Sequence, residues 1–429
     1  MSRALLPSCR PFSLLGLRAI AYLVLFLGHT AGHASDSIDA DMLADAADGR
    51  LDHFTLLEGA LISGGAKHKS DLAAASRRLD SLWLEVGEPL IDRLSSHDRP
   101  RAIFSALHRL VLTGKYDAEC TEVQRTLETG NYNCVTASVL YLELCRRHGL
   151  QGTAIAVPAH IYCRLLGKQD EDVQTTCKDW FEVRVGKATS PAIQALTRQI
   201  ATHAMRPREL TDVQLLGKVY YNRGVSQLEV HDYAAAIALL KTSLLLDPSD
   251  QPARNNLLAA HNNWALALCD AGKYELAAEK LSLGRAVDAD YGPLLTNDLY
   301  VHQKWVLHHC AQGRYSAAIE LLDQGYERQP DAALFKAGRF AVYCMWSKAL
   351  LEDNRVREAL AILDAARRRY GEPEELISQE LQLFESELRR LSQRGEAAAA
   401  QALYTAATTR HPQAESLHSL DPEQAASVK

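Results

Sequence analysis

The chain has 429 residues, 47% of them hydrophobic and 23% charged, with 24 glycines and 14 prolines. That balance excludes collagen-like, low-complexity and wholly disordered classes and leaves ample chain for two or three packed cores. The formal net charge is −6 with no basic run, so nothing in the composition recommends a nucleic-acid partner. Nine cysteines are too few for a disulfide scaffold in a chain this long.

Residues 1–34 are laid out as an export signal. Arg3, Arg10 and Arg18 give a positive flank, residues 19–27 an apolar run, and Gly32-His33-Ala34 a small-x-small cleavage site. The apolar core falls short of the ~20 residues that span a bilayer. Cleavage there predicts an exported protein, periplasmic or extracellular, with no stable membrane span. Retention would leave it membrane-anchored, with Arg18 buried. Cys9, in Pro-Ser-Cys-Arg, does not read as a lipidation site.

Residues 35–210 are expected to form the first folded unit. Apolar spacing in Leu79-Leu82-Trp83 and Ile103-Leu107-Leu110 predicts helices over 38–112, with Asp36 and Ser70 as N-caps. Asp39, Asp41 and Asp45 read as a solvated helix face. Cys134 opens a further helix, capped by Asn133 and ended near Gly149. Strands follow at 153–157 and 160–166, then the polar turn 167–172 and a short strand at 173–176. Helix followed by three strands makes an α+β unit.

A cysteine at a helix N-terminus meets unpaired amides and the helix dipole, which favour its thiolate. A histidine on a nearby strand, here His160, is the base such a nucleophile needs, and a third polar side chain would fix its tautomer. No other chemistry has its motif. Ser63-Gly64-Gly65-Ala66-Lys67 lacks phosphate-loop spacing, and His-Glu-x-x-His, Cys-x-x-Cys and Gly-x-Ser-x-Gly do not occur. No cofactor and no metal site is therefore predicted.

Four stretches together resemble the transglutaminase-like domain. They are Gly130-Asn131-Tyr132-Asn133-Cys134, Arg146-Arg147-His148-Gly149-Leu150, Val157-Pro158-Ala159-His160 and Val173-Gln174-Thr175-Thr176. The resemblance implies a papain-type fold with a Cys-His-Asp triad, often fused to tetratricopeptide repeats in bacteria. It makes Cys134 the nucleophile and His160 its base, and it puts the third member at Gln174. Glutamine departs from the family's acid: its carbonyl accepts a histidine N–H but cannot offset imidazolium charge. Asp172 and Asp179 are alternatives. Ala159 also replaces the glycine expected before the histidine.

Two hairpin registers compete. Pairing His160 with Gln174 centres the turn on Gly167, which suits a turn, and is the favoured one. Pairing Cys163 with Cys177 centres on residue 170. It would allow a cross-strand disulfide suited to an exported protein, but it carries Gln174 ~20 Å along the strand from His160.

Residues 211–414 repeat. Tyr233, Tyr274, Tyr315, Val356 and Ala397 are spaced by 41, and each has alanine three positions on: Ala236, Ala277, Ala318, Ala359 and Ala400. Small residues stand ten positions after each anchor: Ser243, Gly284, Gly325, Ala366 and Ala407. Pro248, Ala289, Pro330, Gly371 and Pro412 follow at plus fifteen, and His231, Gly272, Gly313, Asn354 and Gly395 precede each anchor by two. The pattern predicts five helix pairs with left-handed turns between paired helices and stops after them. Gly313-Arg314-Tyr315, Ala318, Gly325 and Pro330 resemble the tetratricopeptide repeat. The family's period is 34, so the seven extra residues are expected to lengthen the first helix of each unit by about two turns. Trp264, Trp305 and Trp346, also spaced by 41, are expected to pack within the helix pairs, and Cys269 and Cys310 to be buried thiols. His308-His309 diverge by ~100° on a helix and do not make a metal pair. Residues 415–429 are expected to be a disordered tail.

The expected fold class is thus an α+β transglutaminase-like domain followed by an all-α repeat solenoid. Two functions are compatible. One is an exported thiol enzyme acting on amide bonds of a protein or peptide through a Cys134 thioester, by hydrolysis or acyl transfer, with the concave repeat surface recruiting the substrate or a partner. The other is a noncatalytic adaptor whose degenerate first domain and repeats bind partners. Gln174 favours the second; the Cys134–His160 pair favours the first.

Overall fold

The computed structural model describes residues 37–85, 91–95, 97–183, 207–353 and 355–422. The predicted export signal and Asp36 lie outside these residues. The unit opens with helices α1 (Ile38–Asp45), α2 (Leu56–Ser63), α3 (Lys69–Leu84), α4 (Arg99–Leu110), α5 (Val123–Thr129) and α6 (Cys134–Arg147). Strands β1 (Gly152–Val157), β2 (His160–Leu165) and β3 (Glu171–Val173), the turn of helix α7 (Trp180–Val183) and β4 (Arg208–Leu210) complete the unit.

The sequence of α6 is apolar on nearly every face, and every residue from Val135 to Cys145 is buried. Such a helix belongs at the centre of a core. The core around it includes Trp83, Phe104 and Tyr141. The expected caps are displaced. Ser37 precedes α1 without a side-chain bond, and Ser70 already lies inside α3, behind His68. Asp71 accepts from the Lys67 and His68 amides there at 3.1 and 3.0 Å. The Asp39–Asp45 cluster is not a solvated face either. Asp45 accepts from the His53 ring at 2.6 Å and from the amides of residues 52–54. Asp39 accepts the Tyr220 hydroxyl; Asp41 alone of the three is exposed.

The sheet runs β3-β2-β1-β4, with every neighbouring pair antiparallel. Neither expected register forms. Cys163 faces Val173 and Arg164 faces Asp172, centring the β2–β3 hairpin on residue 168. The strand expected at 173–176 instead ends at Val173, and Thr175 and Thr176 turn. The physical cause is the bidentate pair Arg164–Asp172 (2.6 and 3.0 Å), which locks those residues opposite each other. The shift from the favoured register is two residues, so Gln174 stays on the His160 side of the sheet. Cys163 and Cys177 are free thiols: Cys163 is buried against the Ser138 carbonyl of α6 (3.7 Å), and Cys177 lies in the turn after β3.

Five helix pairs follow, α8 (Asp212–Glu229) with α9 (Tyr233–Leu246), α10 (Gln251–Asp270) with α11 (Tyr274–Val287), α12 (Gly292–Ala311) with α13 (Tyr315–Arg328), α14 (Ala333–Glu352) with α15 (Val356–Tyr370), and α16 (Glu374–Gln393) with α17 (Ala397–Arg410). The first helices of the last four pairs each have 20 residues, while second helices have 14 or 15. The longer period is therefore spent on the first helix. His231, Gly272, Gly313 and Gly395 have φ of 61 to 72°, the left-handed turn between paired helices. The small plus-ten residue permits close approach: a Cβ on Gly325 would stand 2.2 Å from the Phe335 ring.

Cys269 and Cys310 are buried, but the three tryptophans are only half-buried. Trp264 lies under the Lys280 ammonium at 4.6 Å, and Trp346 stacks on Tyr315 at 5.6 Å. His308 turns to Tyr274 and His309 to Trp305. The tail expected to be disordered from 415 begins with a short helix, α18 (Glu415–His418), whose Leu417 is fully buried against α16 and α17. Among the described residues no helix is long and apolar enough to cross a membrane.

The first helix pair is not separate from the α+β unit. Leu215, Leu216, Val219 and Tyr220 of α8 belong to the same core as α2 and α6. Gly59 on α2 admits the Leu216 side chain, which a Cβ there would meet at 2.6 Å. Arg146 at the end of α6 makes a bidentate pair with Asp212 (2.7 Å twice), and Arg208 of β4 pairs with Asp247.

Candidate active site

Cys134 is the first residue of α6. Asn133 caps it: its carbonyl oxygen accepts from the amides of Val135 and Thr136 at 2.9 Å each, and the Thr136 hydroxyl accepts from the Asn133 amide at 3.1 Å. Those bonds fix the first turn and leave the Cys134 and Val135 amides close to the cysteine's own sulfur. The Ile161 amide of β2 also reaches it, so one helix end and one strand aim backbone N–H groups at a single thiol.

His160 opens β2, immediately before Ile161. Its Nε2–H donates to the Gln174 carbonyl at 2.8 Å, leaving Nδ1 as the basic nitrogen. Gln174 is itself buried and held by its neighbour: Thr175 bonds Ser138 of α6 (3.0 Å), and its carbonyl meets the His108 ring (3.0 Å). The loop after β3 is thereby tied to the helix that carries Cys134. Asp172 is occupied by Arg164, and Asp179 makes no bond to the imidazole; among the described residues no carboxylate touches His160. Ile161 follows His160 directly in β2, and among the described residues no hydrogen bond joins the imidazole to the Cys134 thiol.

Burial sets the electrostatics. It raises the Cys134 thiol above its ordinary range, against the pull of the three amides and the Lys218 ammonium of α8. It lowers His160 below the ordinary imidazole value, and the Gln174 bond reverses this only in part. Both groups are therefore neutral at pH 7: a protonated thiol and a free base, not a preformed ion pair.

Two neighbours of the thiol escaped the sequence reading. Lys218 lies in the first repeat helix, where it bonds Asp250 at 2.7 Å. Tyr116 lies on the loop between α4 and α5, where burial, with a smaller contribution from Cys134, holds its phenol above the ordinary range. No local sequence pattern marks either, because both reach Cys134 through the tertiary fold. No group of three or more His, Cys, Asp or Glu able to hold a metal occurs among the described residues. An open depression lined by Arg146, Leu150, Gln151 and Leu166 lies at the far end of α6 from Cys134.

No family model matches the chain, and no curated protein matches it. Among solved structures it is similar to the TPR domain of P58(IPK), at 13% identity over 76% of this chain and 78% of that one, with a TM-score of 0.18. It is also similar to a kinesin light chain candidate from Podosopora anserina with nearly identical TPR-like repeats, at 16% identity over 47% and 98% of the two chains, with a TM-score of 0.17.

Proposed function

We propose that this is a transglutaminase-like thiol enzyme that acts on amide bonds of a protein or peptide, with the helix-pair array binding the substrate or a partner. Helical repeat arrays present extended surfaces suited to polypeptide partners. The observation that carries the catalytic reading is the convergence on Cys134 of a capped helix start, the Ile161 amide and the neighbouring His160–Gln174 pair. In the reaction, Sγ attacks the amide carbonyl carbon and His160 Nδ1 takes the thiol proton. The Cys134 amide is suited to the developing oxyanion. The C–N bond then breaks, His160 returns the proton to the leaving amine, and a thioester remains on Cys134. Water or an amine attacks the thioester with His160 again as base, giving acid or a new amide and the free thiol. The first 34 residues serve as the export signal in this reading.

The neutral Gln174 and the missing thiol–imidazole bond favour a second reading, a noncatalytic adaptor that binds partners through both halves. Cys134 alkylation by iodoacetamide, followed by peptide mapping across pH 5–10, separates them. The catalytic reading expects a low-pH limb with a midpoint below 6.5, where His160 titrates, that disappears in His160→Ala. A single titration above the ordinary thiol value, identical in both proteins, overturns it.

A further inference from the structure

We propose that Ser138 and Thr175 are positioning residues of the thiol site. Their hydroxyl–hydroxyl bond holds Gln174, and through it the His160 imidazole, in register with the helix that carries Cys134. This rests on the reading of Cys134 as nucleophile and His160 as base. Gln174 stands just past the end of β3. The pairing of β2 with β3 stops at Val173, so the ladder does not reach residues 174 and 175. A glutamine side chain has three rotors and presents a steady acceptor only where the chain beneath it is fixed. The turn's own bonds tie it back to itself and to β3: the Cys177 amide donates to the Gln174 carbonyl (3.0 Å) and the Trp180 indole to the Asp172 carbonyl (2.9 Å).

Thr175 carries the loop to the helices. It is fully buried, as is Ser138, and their hydroxyl oxygens stand 3.0 Å apart. From α4, the His108 ring donates Nε2–H to the Thr175 carbonyl at 3.0 Å. That ring is itself seated against Phe104 (centroids 4.6 Å apart) and edge-on against Tyr132 (5.8 Å), two residues before Cys134. Ser138 lies four residues after Cys134 on α6, hence on the same stripe and ~6 Å along the axis. Its carbonyl accepts the Cys163 thiol (3.7 Å) from β2, the strand that His160 opens. One residue of α6 therefore meets both segments that hold the imidazole: β2, which bears it, and the loop beginning at Gln174, which orients it. A site whose members hang from one rigid helix keeps the geometry that proton transfer needs.

The test uses the full chain with Thr175→Val and Ser138→Ala combined. Either substitution alone leaves a buried hydroxyl unpaired, whereas the double variant removes both partners and is expected to keep the wild-type helical ellipticity. Two quantities are read: the His160 ring N–H proton resonance, identified by its loss in His160→Ala, and the rate of Cys134 acetylation by p-nitrophenyl acetate. Wild type is expected to show the resonance, protected from solvent exchange by the Gln174 bond. In the double variant the resonance is expected to be lost to exchange with water. The acetylation rate is expected to fall about tenfold, the factor equivalent to one net hydrogen bond. Thr175→Ser, which keeps the hydroxyl, is expected to preserve the resonance and most of the rate. A double variant that keeps the resonance, or that is acetylated as fast as wild type, overturns the proposal. The two readings fail separately. If no protein is acetylated at Cys134, wild type included, while the resonance still depends on the hydroxyl pair, catalysis falls and the positioning of His160 stands. If wild type is acetylated with the help of His160 and the double variant matches it in both quantities, the positioning falls and catalysis stands.

Discussion

His261 offers a quantitative test of the repeat packing. It lies on α10, 2% exposed, and neither ring nitrogen completes a hydrogen bond. Burial, reinforced by Lys241 and Lys280, pushes its pKa down to about 4. A histidine lowered in the folded state binds its proton first in the unfolded state. Its contribution is therefore present above pH 6.5 and is lost as pH falls toward 4. Integrated between those values, the loss is about 2 kcal/mol by pH 5 and about 3 kcal/mol by pH 4. The same register holds Phe384 in the last pair, so His261→Phe puts an aromatic ring where the array already accepts one. The variant is expected to gain about 1 kcal/mol at pH 7, because two unpartnered buried polar atoms disappear. At pH 5 the gain grows to about 3 kcal/mol. Urea unfolding of both proteins, followed by helical ellipticity at the two pH values, reads the difference, since all other histidines are shared. Equal differences at pH 7 and pH 5 would refute the buried, uncompensated ring.

Other perturbations probe the joints of the molecule. Gly325→Ala gains about 1 kcal/mol of helix propensity but drives a methyl into Phe335, so a net loss of about 1–2 kcal/mol is expected in thermal or urea unfolding. Asn133→Ala removes both caps at the start of α6 and is expected to lower stability by about 1–2 kcal/mol in the same assay. Lys218→Met leaves the Asp250 carboxylate buried without its partner, its other oxygen already unbonded, and should cost about 3 kcal/mol. Adding Asp250→Leu should recover a large part of that loss, and failure to recover any would show that the pair is not coupled.

The array was largely legible because its signals are local and repeated. A 41-residue phase, a left-handed turn before four of the five anchors and a small residue ten positions after each anchor impose geometry that needs no distant partner. The tryptophan register was visible too, but its half-buried setting was not, because Lys280 and Tyr315 come from other helices. In the first unit, α6, its Asn133 cap and the start of β2 followed from local chemistry. The hairpin register did not: turn preference pointed to Gly167, whereas the Arg164–Asp172 pair chose a centre one residue later. β4 escaped notice because its three residues form a strand only by pairing with β1. The tail helix depends likewise on Leu417 reaching the last repeat core. Around Cys134, the His160–Gln174 contact survived the register shift because a two-residue slip preserves the face of the strand.

In the proposed reaction Cys134 forms a thioester with His160 as its base. Intact-mass measurement after incubation with p-nitrophenyl acetate tests it directly, using wild type, Cys134→Ser and His160→Ala. A Cys134 nucleophile with a His160 base yields one acetyl group on wild type, mapped to Cys134 and released by hydroxylamine, with formation much slower in His160→Ala. Acetylation of Cys134 at the same rate with and without His160, or none at Cys134 at all, would contradict it.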